Sequence, residues 1–254
     1  MHIFTGFEVN FLDVGQGDGI AIRTHDAFIT VDGGSSDVKN VGKYRIIPFI
    51  KYKGIRAIDY AIISHLDNDH VSGVRELLEQ SDNGGIKVRN IVLPKLLNKD
   101  DEYVEMEKLA HAMGVEVLYL KNGDSIEAGP LKIKCINPDI KNQMDDRNDN
   151  STVLDVKYKN FSMLLTGDIS SEVENNIEKN LAQKYTVLKV PHHGSRFSSS
   201  EKLLSKVSPK YSVISCGEGN SYGHPHIETI DRLNMHNTEI LRTDLIGEID
   251  FRME

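Results

Sequence analysis

The feature that most constrains this chain is a set of apolar runs that break off in ionisable groups. FLDVGQGD runs out at Asp13 and Asp18, and AIISHLDNDH at His65, Asp67, Asp69 and His70. MLLTGD ends at Asp168, and VLKVPHH at His192 and His193. A buried strand that ends in His and Asp, rather than in Lys or Asn-Gly, offers ligands at its mouth. Four such ends on one rim would make a polynuclear metal site, so the fold has to bring strand ends together along an edge.

The pattern along the chain supplies such strands. EVNFLDVG, GIAIRT and AFITVDGG read as three strands separated by Gly-rich turns. A Gly- and Lys-rich loop follows, then the strand IDYAIISH and a helix in which Val71, Val74, Leu77 and Leu78 fall at helical spacing. VRNIVLP, a helix through EMEKLAHAMG and VEVLYL complete the first half. The second half is read as LKIKCINP, STVLDVKYK and FSMLLTGD, a helix through SSEVENNIEKNLAQ, the strand YTVLKVPHH and a helix near SSEKLLSKV. YSVISCG, a helix from IETIDRLNMH, TEILRT and GEIDFRM close the chain. Strand groups with helices between them in both halves predict an α/β fold of two sheets faced by helices. KNQMDDRNDNS, the most polar stretch, reads as a surface loop within one domain spanning residues 1–254.

The strongest motif is His65-Leu66-Asp67-Asn68-Asp69-His70. In an extended loop, residues two apart point the same way, so His65, Asp67 and Asp69 converge. His70 then opens a helix whose N-terminus favours an anion nearby. The bland alternative, a polar turn with Asp69 as helix cap, explains one residue of the four. Adjacent histidines followed by Gly and Ser in VPHHGS seldom serve packing. TGD alone is weak, and in YGHPH the proline could equally introduce the next helix.

Composition removes several classes. The net charge of −8 argues against a plain module that grips nucleic acid by its phosphates. Cys135 and Cys216 stand alone in apolar runs, as buried thiols rather than a disulfide or zinc framework. No run reaches the roughly 18 apolar residues of a membrane span, and the N-terminus lacks the basic-then-apolar order of a secretory signal. The expectation is a soluble protein without membrane insertion of its own.

Taken in order, LDVGQGD, VDGG, SHLDNDH, LLTGD, VPHHGS and YGHPH resemble the metallo-β-lactamase-fold hydrolases. Within them the chain looks most like the soluble domain of the ComEC competence proteins, from Val9 to Phe251. The resemblance implies a four-layered αββα sandwich with a two-metal site on one edge of the sheets, and hydrolase chemistry. It carries His65 and Asp67 over to the first metal, Asp69 and His70 to the second, and Asp168 to a bridging carboxylate. His193 is carried over as the last second-metal ligand and His192 as a contact to the scissile phosphate. His192, His226 and Asp69 take catalytic roles, and Ser195, His224, Asn150 and Ser151 contact substrate. Asp13 and Asp18 orient ligands from behind, with a turn-stabilising role as the alternative.

Two departures from the family pattern bear on the metal. The commoner motif has histidine where this chain has Asp67, and only His111, mid-helix, stands between Leu77 and Asp168 to supply the middle ligand. Asp149, Asn150 and Ser151 occupy roughly that place. Replacing imidazole by oxygen donors shifts preference from Zn²⁺ towards Mn²⁺ or Mg²⁺. The leading expectation is a two-metal phosphodiesterase or nuclease on DNA, single-stranded by the competence resemblance. Binding would be weak and salt-sensitive unless Arg196, Lys202, Lys206 and Lys210 line a groove. A lactone, thioester or β-lactam hydrolase, which usually keeps a histidine-rich zinc site, ranks behind it, and a metal-stabilised scaffold behind both. The protein is cytoplasmic if this is the whole chain. As a domain of a competence channel it would lie on the outer side of the cytoplasmic membrane.

Overall fold

The structure is a computed structural model that describes residues 4–80 and 85–253. Two seven-stranded sheets face one another, and each is half antiparallel and half parallel. In the first, β1 (Phe7–Phe11), β2 (Ile20–Arg23), β3 (Phe28–Val31) and the last strand β14 (Ile249–Met253) are antiparallel. The sheet continues in parallel from β3 through β4 (Ala57–Ile62) and β5 (Lys87–Pro94) to β6 (Glu116–Leu120). In the second, β7 (Ser125–Ala128), β8 (Leu131–Asn137), β9 (Val153–Tyr158) and β10 (Phe161–Leu165) are antiparallel. Then β11 (Val187–Lys189), β12 (Tyr211–Ile214) and β13 (Glu239–Arg242) run parallel to β10.

Parallel neighbours need a crossover, and a helix supplies each one. α1 (Ile47–Tyr52), α2 (Asn68–Glu79) and α3 (Asp101–Ala112) serve the first sheet. α4 (Ser171–Ile177), α5 (Glu201–Val207) and α6 (Ile227–Met235) serve the second. A short α7 (Thr243–Ile246) precedes β14.

Phe7, Val9, Phe11, Ile22, Ile133, Val156 and Met163 fill the space between the sheets. Ile50, Val74, Leu78 and Met106 seal α1–α3 onto one outer face, and Val173, Leu204, Val207 and Leu233 seal α4–α6 onto the other. The result is the αββα sandwich expected from the resemblance. Because the parallel strands all run the same way within a sheet, their C-terminal ends lie along one edge, where such folds place their ligands.

Two local readings are corrected. The Gly- and Lys-rich segment before β4 is helical, a π turn at Gly42–Ile46 that runs into α1. Its buried Val41, Ile46, Ile47 and Ile50 drive it onto the core, and Gly42 packs directly on Gly73, where an added Cβ would lie 2.6 Å from a carbonyl oxygen. The helix read through SSEVENNIEKNLAQ ends earlier, at Ile177, and passes into a 3₁₀ turn.

Candidate metal centre

Strand ends from both sheets deliver ionisable side chains to the shared edge. The loop after β1 brings Asp18, Asp32 directly follows β3, and β4 leads to His65 and Asp67. Asp69 and His70 stand in the first turn of α2, Asp168 follows β10, and Lys189 ends β11 just before His192 and His193. Backbone contacts clamp these loops together: the Asp18 N–H donates to the Asp69 carbonyl at 3.0 Å, and the Gly34 N–H to the Asp18 carbonyl at 3.0 Å. Gly17 and Gly34 are required there. A Cβ on either would fall within 2.4–2.5 Å of the backbone of residues 69 and 70.

Three groups of ligand atoms converge: Asp69 with His70, Asp168 and His193, then His65 with Asp67 and Asp69, and also Asp18 with Asp32 and His70; the first two hold the inward-facing Nε2 atoms. In the first, Asp168 Oδ2 lies 3.3 Å from His70 Nε2 and 3.2 Å from His193 Nε2, and Asp69 Oδ2 lies 3.5 Å from His193 Nε2. In the second, His65 Nε2 and Asp67 Oδ2 are 3.7 Å apart. Nε2 of His65, His70 and His193 and Oδ1 of Asp18 are buried without a hydrogen-bond partner. Buried polar atoms are almost always satisfied, so three orphaned imidazole nitrogens facing carboxylates fit bound cations.

The opposite ring nitrogens explain the orientation. His193 Nδ1 donates to the Ser215 carbonyl at 2.9 Å, and His70 Nδ1 to Asp32 Oδ2 at 3.0 Å. His65 Nδ1 meets the hydroxyls of Ser64 at 3.0 Å and Ser151 at 3.3 Å. The acceptors behind His193 and His70 turn Nε2 inward with its lone pair available, and the hydroxyls behind His65 hold its ring in place. Asp32 in turn accepts the Ser64 N–H at 2.7 Å. The backbone is bent to suit: His192 and His193 hold φ of 51° and 52°, left-handed conformations costing roughly 1–2 kcal/mol each outside glycine.

The electrostatics of this set are those of a cation trap. Burial disfavours charge on His70 and His193, but Asp168 together with Asp32 or Asp18 outweighs it, raising His70 well above its usual value and His193 to about 10. Burial would raise the carboxylates, yet the imidazoles hold Asp69 and Asp168 far below the carboxylate range. His65, dominated by burial and by the charge on His70, falls to about 3. Protons on the rings stand in for the positive charge that metal ions would bring.

Of the two adjacent histidines, His193 is the buried one within a ligand group, while His192 is half-exposed with Nε2 3.9 Å from Asp168 Oδ2. Asp69 is the residue common to the first two groups, whereas Asp168 belongs to the first. His224 and His226 stand beside them: His192 and His224 ring centroids are 5.7 Å apart, and His224 and His226 4.9 Å. Asp18 lies beside the ligands, with Oδ1 3.6 Å from His193 Nδ1.

Four other expected site residues are placed elsewhere. Asp13 pairs with Arg45 at 2.9 Å and accepts the Gly15 N–H, the turn-stabilising alternative. Asn150 is buried and spends its amide on the Met144 and Asp146 carbonyls, holding the loop rather than facing substrate. Ser151 is buried behind His65 and accepts the Asp168 N–H at 3.2 Å. Ser195 is buried and its hydroxyl accepts the Phe197 N–H. Of the four cations expected to line a groove, Lys202 pairs with Glu178, Arg196 with Glu228, and Lys210 lies over the Tyr211 ring.

Three residues beside the ligands escaped the sequence reading. Asp32 ends an apolar run like the recognised ligands. Lys189 is a lone cation inside VLKVP. Arg147, in the most polar loop, bonds Asp67 Oδ1 at 2.5 Å and carries no signal in its neighbours.

Comparison with known proteins agrees with this geometry. The family model described as the metallo-beta-lactamase superfamily matches residues 12–218. ComE operon protein 3 of Bacillus subtilis is 31% identical over 262 residues, covering 96% of this chain and 33% of its own length. Competence protein ComA of Neisseria gonorrhoeae is 31% identical over 245 residues, covering 96% and 32%. The chain thus spans about a third of the length of these curated relatives. Among solved structures, the metallo-beta-lactamase fold protein YhfI from Bacillus subtilis superposes with a TM-score of 0.64 at 11% identity, covering 97% of this chain and all of that one.

Proposed function

The chain belongs to the metallo-beta-lactamase superfamily, and from that premise we propose that it is a metal-dependent phosphodiesterase acting on DNA, single-stranded by preference. The observation that supports this reading best is the three orphaned imidazole nitrogens facing carboxylates, with half-buried histidines beside them. Asp69, His70, Asp168 and His193 would hold one divalent ion, and His65, Asp67 and Asp69 a second. Asp168 lies in the first group and would also be a ligand to the second ion, as the family resemblance implies. Ions bound there would supply a Lewis acid for the phosphoryl oxygen and a nucleophile drawn from water near neutral pH.

The remaining residues position the phosphodiester. Burial lowers His192, and burial with the neighbouring imidazoles brings His224 down to about 4. Both rings are therefore neutral at pH 7 and suit hydrogen bonds to phosphate oxygens rather than proton delivery. His226 accepts the Arg196 N–H at Nδ1, so in its neutral form the proton sits on Nε2. His226 therefore offers its Nε2–H as a further hydrogen-bond donor to a phosphate oxygen. With a net charge of −8, binding to DNA is expected to be weak and salt-sensitive. The name of the relative Competence protein ComA supports DNA as the polymer, and the family resemblance implies attachment to a membrane channel as part of a longer assembly. Among the described residues, no helix is long and apolar enough to cross a membrane.

The test is cleavage of single-stranded DNA, double-stranded DNA and a small phosphodiester with Mn²⁺, Mg²⁺ and Zn²⁺ in parallel. Chelation should abolish activity, and Mn²⁺ should restore it better than Zn²⁺, because His65, Asp67 and Asp69 offer more oxygen than nitrogen. Turnover of a lactone or thioester with none of a phosphodiester would overturn the reading. Full activity with Zn²⁺ and none with Mn²⁺ would overturn the metal preference alone.

A further inference from the structure

Lys189 is a buried cation inside the metal centre. Its side chain is 1% exposed, at the end of β11 three residues before His192. A buried ammonium is costly unless all its protons are engaged. Here Nζ pairs with Asp18 Oδ2, donates to the Gly167 carbonyl at 3.2 Å and reaches Asp168 Oδ1 at 3.5 Å. The Asp18 and Asp168 carboxylates more than offset the burial and keep the amine charged.

The contacts of Asp168 are therefore divided between its two oxygens. Oδ1 faces the ammonium. Oδ2 faces Nε2 of His70, His192 and His193, at 3.3, 3.9 and 3.2 Å. Carboxylate torsions are broad, so nothing intrinsic to aspartate keeps its oxygens in these places. The ammonium does so twice over, by donating to Oδ1 and by repelling any cation that approaches that oxygen. Its burial keeps it from substrate, so it is not a catalytic residue.

The geometry points to Lys189 as a positioning residue that withholds Oδ1 of Asp168, so that this carboxylate presents one oxygen to the cations and does not chelate a single ion with both. The inference rests on the two-cation reading above. Without Lys189, Asp168 turns both oxygens on the buried ion, which is held more tightly while its neighbour loses a ligand.

Calorimetric titration of the metal-free protein with Mn²⁺ tests this, with ions per chain counted after gel filtration. The wild type should bind two ions. Lys189→Met should bind one, about tenfold or more tightly than the tighter wild-type ion, since a nearby positive charge has gone as well. Lys189→Gln, which keeps a polar group against Asp18, should behave alike and serves if the Met variant does not fold by circular dichroism. A merely structural lysine would instead lower the melting temperature and weaken both ions together, or leave both constants unchanged. Either result in a folded variant overturns the inference. A wild type that binds fewer than two ions overturns the two-cation reading itself, and this inference with it.

Discussion

The two ligand groups share Asp69 and differ in almost everything else. His70, Asp168 and His193 are buried, and each is held from behind, by Asp32, Lys189 and the Ser215 carbonyl respectively. The outer group has one buried ring, His65, and two carboxylates whose side chains are 38% (Asp67) and 20% (Asp69) exposed. Asp67 has already given one oxygen to Arg147. Charge interactions strengthen several-fold as water is excluded, and a preorganised site needs no rearrangement to bind. The difference teaches that the centre is unequal by construction: on the two-ion proposal, the inner pocket would bind tightly and first, the outer one weakly and second.

The comparison breaks most visibly at Asp168. Asp168→Ala removes the carboxylate that faces three imidazoles, and leaves Lys189, His70 and His193 short of a counter-charge. The variant should lose most of its metal and about 10³-fold in turnover. The alternative, a mere turn residue of TGD, predicts a loss of about 1 kcal/mol in stability with metal and activity intact. Metal content and cleavage rate on the purified variant decide between them. Next in size is Asp67→Ala, confined to the outer pocket. It should keep about one ion per chain and lose about 100-fold in turnover, because one ion can no longer act with its neighbour. A variant stripped of both ions would show that the pockets are not independent.

Asp32→Ala sharpens the contrast from the inner side without touching a ligand. Asp32 takes the Nδ1 proton of His70 and fixes which nitrogen faces inward. Losing such a partner typically weakens metal binding about 10–100-fold, and here only the tighter constant should move. Calorimetry that found the weaker constant shifted instead would reverse the assignment of inner and outer pockets.

The inner and outer pockets were not equally legible in the sequence. The layers and the strand order could be read because short apolar strands with helices between them allow few arrangements. Most ligands could be read because apolar runs that end in His and Asp are conspicuous. Asp32 fits the same rule at the end of AFITVD and could have been found by applying it once more. Lys189 shows only as a charge inside an apolar run. The choice of His193 over His192 depends on two successive left-handed residues, which no spacing reveals. Asn150, Ser151 and Ser195, which the resemblance implied as substrate contacts, are buried and spend polar groups on nearby backbone, as buried loops require. The helix before β4 was hidden by its exposed lysines and by Gly42, which is there to pack on Gly73.

Arg147 was beyond reach, since a surface loop gives no hint of where its one arginine folds back. It donates to Asp67 from Nη1 and to Asp100 from Nε at 2.9 Å, so it ties the loop to the outer pocket. The guanidinium cancels the charge that Asp67 brings where the commoner family motif has a neutral histidine, and its permanent charge opposes a cation nearby. Arg147→Ala should therefore tighten the outer ion. The pair is about one-third exposed, and such pairs are worth about 0.2–1 kcal/mol, which limits the gain to roughly fivefold. The inner constant should stay put, because Arg147 makes no contact with Asp168, His70 or His193 among the bonds described. If the outer ion instead binds more weakly in the variant, Arg147 acts by holding Asp67 in place rather than by opposing the ion. Lys at the same position separates the two, since it keeps the charge but not the fork that grips both aspartates.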